Sequence, residues 1–160
     1  MAPFQACLRA PFGTIGISAS DTHVTGIRYL SPEVPALAPK KNTIAFLACV
    51  QLQAYLEDPA FEFDMPLRLS GTHHQLAVWE AMRAIPAGET RTYGELAQSI
   101  GSSARAVGGA CGANPIPIVV PCHRVVGAGG SLGGFMGARE EGFELSIKRW
   151  LLAHEGARRA

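Results

Sequence analysis

Residues 92–114 read TYGELAQSIGSSARAVGGACGAN, and this stretch decides the fold of its half of the chain. Thr92 is followed three residues on by Glu95, a capping box. The Thr oxygen accepts from a first-turn backbone N–H, and the carboxylate reaches back to the N–H of the cap. A short helix opens there and ends at Gly101. Ser102 or Ser103 caps the next helix, which runs to Asn114-Pro115. Two short helices joined by a tight Gly-containing turn are the outline of a helix-turn-helix. The second helix carries Gly108, Gly109 and Gly112 beside Ala104, Ala106 and Ala110. Each interior Gly costs about 1 kcal/mol against Ala, so something must offset it. Short side chains let a backbone come close to another surface. A neighbouring helix and a nucleic acid both satisfy this, with Arg105 the long side chain on a short-cropped surface.

Upstream, Thr72-His73-His74-Gln75 is a second capping box. The helix it opens places Leu76, Trp79 and Met82 inward and stops before the Pro86-Ala87-Gly88 turn. Residues 6–30 read as strands, with β-rich runs at 14–19 and 24–30 around a polar turn at 20–23. Pro32, Pro35 and Pro39 mark a loop. Residues 43–57 read as a helix with Phe46, Leu47, Val50 and Ala54 on one face, stopped by Asp58-Pro59. Phe61, Phe63 and Met65 alternate with Glu62 and Asp64, which predicts one more strand. The fold class is therefore α/β (α+β). A small N-terminal α/β domain, residues 1–70, precedes a mostly helical C-terminal domain, 71–160, with a winged helix-turn-helix.

Downstream comes Asn114-Pro115-Ile116-Pro117-Ile118-Val119-Val120-Pro121-Cys122-His123-Arg124-Val125-Val126. Three prolines hold the approach to Cys122 extended and stiff. A free thiol has a pKa of about 8.5, and a neighbouring base or positive charge raises its thiolate fraction. His123 follows at once, so the pair reads either as an activated nucleophile or as two buried structural side chains. Residues 127–134 contain five glycines among eight, leaving backbone amides open to a ligand. No Gly-Lys-Ser/Thr follows, so this is no P-loop. The last helix, about 145–155, is buried by Trp150 and Leu151 and closes at Gly156. Glu155 sits at its negative end, a mild penalty that suggests a partner such as an imidazole.

Composition narrows the classes. Of 160 residues 48% are hydrophobic, enough for a real core. No apolar run reaches the roughly 18 residues of a membrane span, and residues 1–10 lack a secretory pattern. A soluble cytoplasmic protein is expected. Cys7, Cys49, Cys111 and Cys122 form no CxxC pair. Cys7, His23, Cys49 and His73-His74 match no zinc template, so no metal and no cofactor are expected. The net charge is +1. Residues 1–71 carry five Lys/Arg against six Asp/Glu, and residues 72–160 carry nine against seven. From Leu96 to Arg139 there are three arginines (Arg105, Arg124, Arg139) and no acidic residue, a stretch that can meet phosphates.

Pro121-Cys122-His123-Arg124-Val125 resembles the active-site signature of the O6-alkylguanine-DNA alkyltransferases. The resemblance extends to Tyr93-Gly94-Glu95-Leu96-Ala97, Ala104-Arg105-Ala106-Val107-Gly108-Gly109-Ala110 and Asn114-Pro115. It continues through Lys148-Arg149-Trp150-Leu151-Leu152-Ala153-His154-Glu155-Gly156, so residues 72–156 match in order. The N-terminal half fits the family's small variable domain only loosely. The resemblance implies stoichiometric, irreversible transfer of an alkyl group from O6 of guanine to Cys122. His123 would deprotonate the thiol through a bound water, and Glu155 would orient His123. Asn114 would hold the turn, and Tyr93 would donate to guanine N3. Arg105 would enter the stack after base flipping. Thr92, Arg105, Ala106, Gly109 and Arg124 would contact DNA, with the Gly/Ala helix in the minor groove. The backbone of Val125 and the loop with Ser131, Gly133 and Gly134 would line the guanine pocket.

The implied partner is double-stranded DNA carrying O6-alkylguanine, with no protein partner, the chain acting as a monomer. Gly133-Gly134-Phe135 stands where the family commonly has Ser-Gly before an aromatic. Residues 137–143, with Arg139, Glu140 and Glu141, look like an insertion at the pocket rim. Three rivals compete: a Cys-His hydrolase, a non-enzymatic lesion binder and a plain helix-turn-helix regulator. The hydrolase leaves the helix-turn-helix unexplained, the lesion binder lacks an acceptor Cys, and the regulator needs no Cys-His pair.

Overall fold

The computed structural model describes residues 4–138 and 141–157. Arg139 and Glu140, named above at the pocket rim, lie outside the described residues, as do residues 1–3. The chain divides into two compact units, Met1–Leu69 and Ser70–Ala160.

In the first unit β1 (Ala6–Ala10), β2 (Gly13–Ala19) and β3 (Val24–Leu30) form an antiparallel meander in sequence order. Ile17 faces Ile27 across the β2–β3 ladder, and both are buried. Helix α1 (Ile44–Glu57) packs on the sheet, opened by the Thr43 hydroxyl accepting from Phe46 N and ending at Asp58. Its buried face is Ala45, Ala48, Gln51, Leu52 and Tyr55, not the expected Phe46, Leu47, Val50 and Ala54. Phe46 and Val50 are 37% and 51% exposed. The alanines let the helix axis approach the strands, where a Phe/Val face would hold it off.

The expected strand at 61–65 does not form. The Gln51 side chain makes the bonds a neighbouring strand would make. Its Nε2 donates to Asp64 O at 2.7 Å, and its Oε1 accepts from Asp64 N at 2.8 Å. Phe63 turns inward onto Tyr55, ring centroids 5.5 Å apart. Pairing begins only at Leu67, in a single parallel bridge to Val24.

In the second unit both capping boxes form. Thr72 with Gln75 opens α2 (His73–Arg83), and Thr92 with Glu95 opens α3 (Tyr93–Ile100). Helix α2 buries Val78, Trp79 and Met82, while the expected Leu76 is 39% exposed. Gly101 ends α3 in the left-handed region, φ 68°, and Ser103 caps α4 (Ala104–Gly112). The Trp79 indole Nε1 donates to Ala110 O at 2.8 Å, tying α2 to α4. β4 (Arg91–Thr92) and β5 (Val125–Val126) pair in parallel. Among the described residues that is the unit's one two-stranded ladder. Helix α5 (Phe143–His154) starts two residues earlier than expected, and Gly156 turns left-handed behind it, φ 68°.

Candidate active site

Asn114 builds the approach to Cys122. Its Nδ2 donates to Val120 O at 2.8 Å, and its Oδ1 accepts from Ile116 N at 3.0 Å. This clasps a turn in which Ile118 takes φ 74°, a conformation a β-branched residue holds only when its surroundings enforce it. Ile116, Val119 and Val120 anchor the turn in the core. A single 3-10 turn, Cys122–Arg124, then presents Cys122, only 2% exposed. Burial pushes the Cys122 thiol up to about 11; a hydrogen bond from Asn114 and the charge of Lys148 pull the other way. A thiol held there would need a base to react as a nucleophile.

His123, the next residue, is fully buried. Its Nε2 lies 2.8 Å from Glu155 Oε2, while Nδ1 is buried with no protein partner. Burial lowers the imidazole pKa, with Glu155 opposing. A neutral ring that donates from Nε2 to a carboxylate keeps a lone pair on Nδ1, the arrangement of a general base.

Arg124 departs from expectation. Its Nε and Nη2 hold both oxygens of Glu155 at 2.9 Å, and its Nη1 donates to Ile85 O at 2.6 Å. Glu155, 0% exposed at its side chain, cannot stay ionised alone, and the bidentate guanidinium compensates it. Arg124 therefore faces inward and is not placed to meet phosphate. Val125 is fully buried, and its carbonyl accepts from Lys148 Nζ at 2.7 Å.

The cavity itself, about 1140 Å³ and open, is lined by Tyr93, Arg105, Gly109, Cys122, Gly134 and Met136 among others, with Ser131 and Gly133 on the loop side. Tyr93 Oη donates to Gly134 O at 3.1 Å, and burial raises the phenol's pKa. Gly133, φ 76°, must be Gly, because a Cβ would lie 2.8 Å from the Tyr93 ring. Ser131 Oγ accepts from Gly133 N at 3.3 Å and shapes the loop. Arg105, Ala106 and Gly109 are exposed on α4. A Cβ on Gly108 or Gly109 would meet nothing within 4 Å. These glycines are therefore not explained by helix packing; they keep one face of α4 low and open. The Thr92 oxygen is occupied as the cap of α3.

Lys148 was missed by sequence reasoning. It is 0% exposed, and Nζ donates to Val125 O, to Gly134 O at 2.8 Å and to Tyr93 Oη at 3.5 Å. Burial lowers its pKa to about 8. The signal was present: Lys148 sits on the apolar stripe of α5 with Leu145, Leu151 and Leu152. Among the described residues no cluster of three His, Cys, Asp or Glu is placed to hold a metal ion, and no helix is long and apolar enough to cross a membrane.

Comparison with known proteins places this geometry. Residues 73–157 match the model of the 6-O-methylguanine DNA methyltransferase DNA-binding domain. The chain is 44% identical over 151 residues to a methylated-DNA–protein-cysteine methyltransferase of Mycolicibacterium paratuberculosis, covering 91% of this chain and 88% of that one. It is 38% identical to the protein of the same name from Methanosarcina acetivorans, over 96% and 99% of the two chains. Among solved structures, Mycobacterium tuberculosis OGT in complex with DNA matches with a TM-score of 0.78 at 41% identity, over 94% of this chain and 91% of that one.

Proposed function

The chain belongs to the methylated-DNA–protein-cysteine methyltransferase family, and from that premise we propose that Cys122 is its acceptor, taking the alkyl group from O6 of a guanine flipped out of duplex DNA. The protein repairs DNA by moving the group to cysteine. The target carbon lies inside the base stack, so the nucleotide must be extruded at a cost of a few kcal/mol. The exposed, short-cropped face of α4 supports a close fit to the duplex, with Arg105 entering the gap and Ala106 and Gly109 on the backbone. Contacts of that kind position the protein without reading sequence, as lesions anywhere in DNA demand.

In the reaction the Cys122 proton passes to His123 Nδ1 through a bridging water, while Nε2 stays bonded to Glu155. The thiolate attacks the alkyl carbon; the S–C bond forms as the C–O6 bond breaks. The electron pair goes to the purine, which takes a proton with Tyr93 as donor at N3. Lys148, bonded to the Tyr93 oxygen, supports that donation. The thioether product has no leaving path, so each molecule acts once. The observation that carries this reading is His123, bonded to Glu155 through one ring nitrogen and left with a free lone pair on the other, next in sequence to Cys122. All four cysteines are free thiols, which suits a reducing cytoplasm.

Intact-protein and peptide mass spectrometry after incubation with a duplex holding one O6-methylguanine tests it. The expected result is one added methyl on the Cys122 peptide, one equivalent per protein, absent in Cys122→Ala. A protein that binds the duplex and gains no mass would overturn the assignment in favour of a lesion-binding module.

A further inference from the structure

Residues 135–138 form a tight turn in which Phe135 N and Ala138 N each donate to the other's carbonyl, at 2.8 and 2.9 Å. Its two central residues are both left-handed, Met136 at φ 52° and Gly137 at φ 86°. Such turns are built most cheaply from Asn, Asp or Gly. Gly137 obeys that chemistry and Met136 does not. A bulky residue held in this conformation on a cavity wall points to a use within the cavity. The side chain shows where: Cys122 Sγ donates to Met136 Sδ at 3.8 Å. Cys122 is almost wholly buried, and Met136, half-buried, lines the cavity beside it.

Resting on the acceptor role proposed above, we infer that Met136 is the size gate of the reaction. Its thioether occupies the space beside Sγ that the O6 substituent must enter, and its displacement sets how large a group is transferred. A methyl group brings nothing beyond the carbon that bonds to sulfur. A benzyl or butyl group brings atoms that must lie within van der Waals reach of Sγ, where Sδ now stands. The turn backbone has little room to recede, because a Cβ on Gly112 of α4 would already lie 3.3 Å from Gly137 N. Accommodation therefore falls on the side chain. Methionine, unbranched with three rotatable bonds, suits that task.

Single-turnover rates on duplexes holding either O6-methylguanine or O6-benzylguanine test the gate in wild type, Met136→Ala and Met136→Gly. The Gly variant suits the left-handed backbone, so it keeps the turn should the Ala variant fail to fold. The benzyl-to-methyl rate ratio is expected to rise about tenfold or more, the scale on which a pocket discriminates small changes of apolar bulk. A ratio within about twofold of wild type, or a lower one, overturns the inference. Wild-type protein that transfers no methyl at all would instead overturn the acceptor assignment, and the gate with it.

Discussion

The two units bury polar groups for different ends. Among the described residues, the buried polar side chains of Met1–Leu69 are Thr14 and Gln51, both neutral, and both spend their bonds on backbone. In Ser70–Ala160 they are Asn114, His123, Lys148 and Glu155, three of them ionisable. A buried neutral amide completes the hydrogen bonding of a loop at modest net gain. A buried charge costs several kcal/mol to desolvate and is often no better for stability than an apolar residue. One unit thus uses internal polarity to close its fold. The other gathers it around a buried thiol, where the proposed transfer calls for a base and a proton donor.

The sharpest way to break this contrast is Glu155→Ala. It strands the Arg124 guanidinium and frees the His123 ring, so a loss of about 3–5 kcal/mol in denaturant unfolding is expected, together with loss of transfer. A variant that is fully stable would show that the buried charges are not coupled. Next in size is Asn114→Ala. It leaves Ile116 N unpaired in the core, takes one of two donors from Val120 O, which keeps the Cys122 N–H at 2.8 Å, and releases the Ile118 turn. A loss of about 1–3 kcal/mol follows from one buried donor left unpaired, with slower alkylation of Cys122 in the fraction that stays folded.

The pH dependence of stability sharpens the comparison further. Burial holds the folded His123 pKa below its usual 6.5. Between the two values the unfolded chain carries a proton that the folded chain does not, so acid favours unfolding. Stability should fall as pH drops below about 6.5, by at most about 1.4 kcal/mol per pH unit. His123→Gln, compared by urea titration at pH 7.5 and 5.5, should show a shallower fall, and an equal slope would refute it. In the first unit, Gln51→Ala should cost about 1–2 kcal/mol through the unpaired Asp64 backbone and leave the rate constant of transfer unchanged. Smallest of all, Arg149→Ala should leave the melting temperature unmoved. The Arg149–Glu141 pair is more than half exposed at both ends, and such pairs contribute little.

Much of the site was legible because it is local. A capping box needs four residues, and both boxes form at Thr72 and Thr92. The stiff run from Asn114 to Cys122 is written in its prolines, and Glu155 was flagged by its awkward place at a helix end. What escaped depends on partners remote in sequence. Phe46 and Val50 looked like the core face of α1 because hydrophobicity alone ignores how closely a helix must sit on its sheet. The alternation at 61–65 carried a strand pattern, but Gln51, more than ten residues away, took its backbone bonds. Arg124 looked like a phosphate ligand until α5 brought Glu155 beneath it. Lys148 was visible as a misplaced charge in an apolar stripe, yet its meaning required Val125, Tyr93 and Gly134 around it.

The indole of Trp79 bears on how the protein comes to be folded. With three glycines in nine residues, α4 is too short and too weak to persist as a helix by itself. Its interior carbonyl at Ala110 is held by a side chain of α2. The helical state of α4 is therefore conditional on α2 having docked. The open face beyond it is therefore only as firm as the contact between the Trp-bearing helix and the glycine-bearing one.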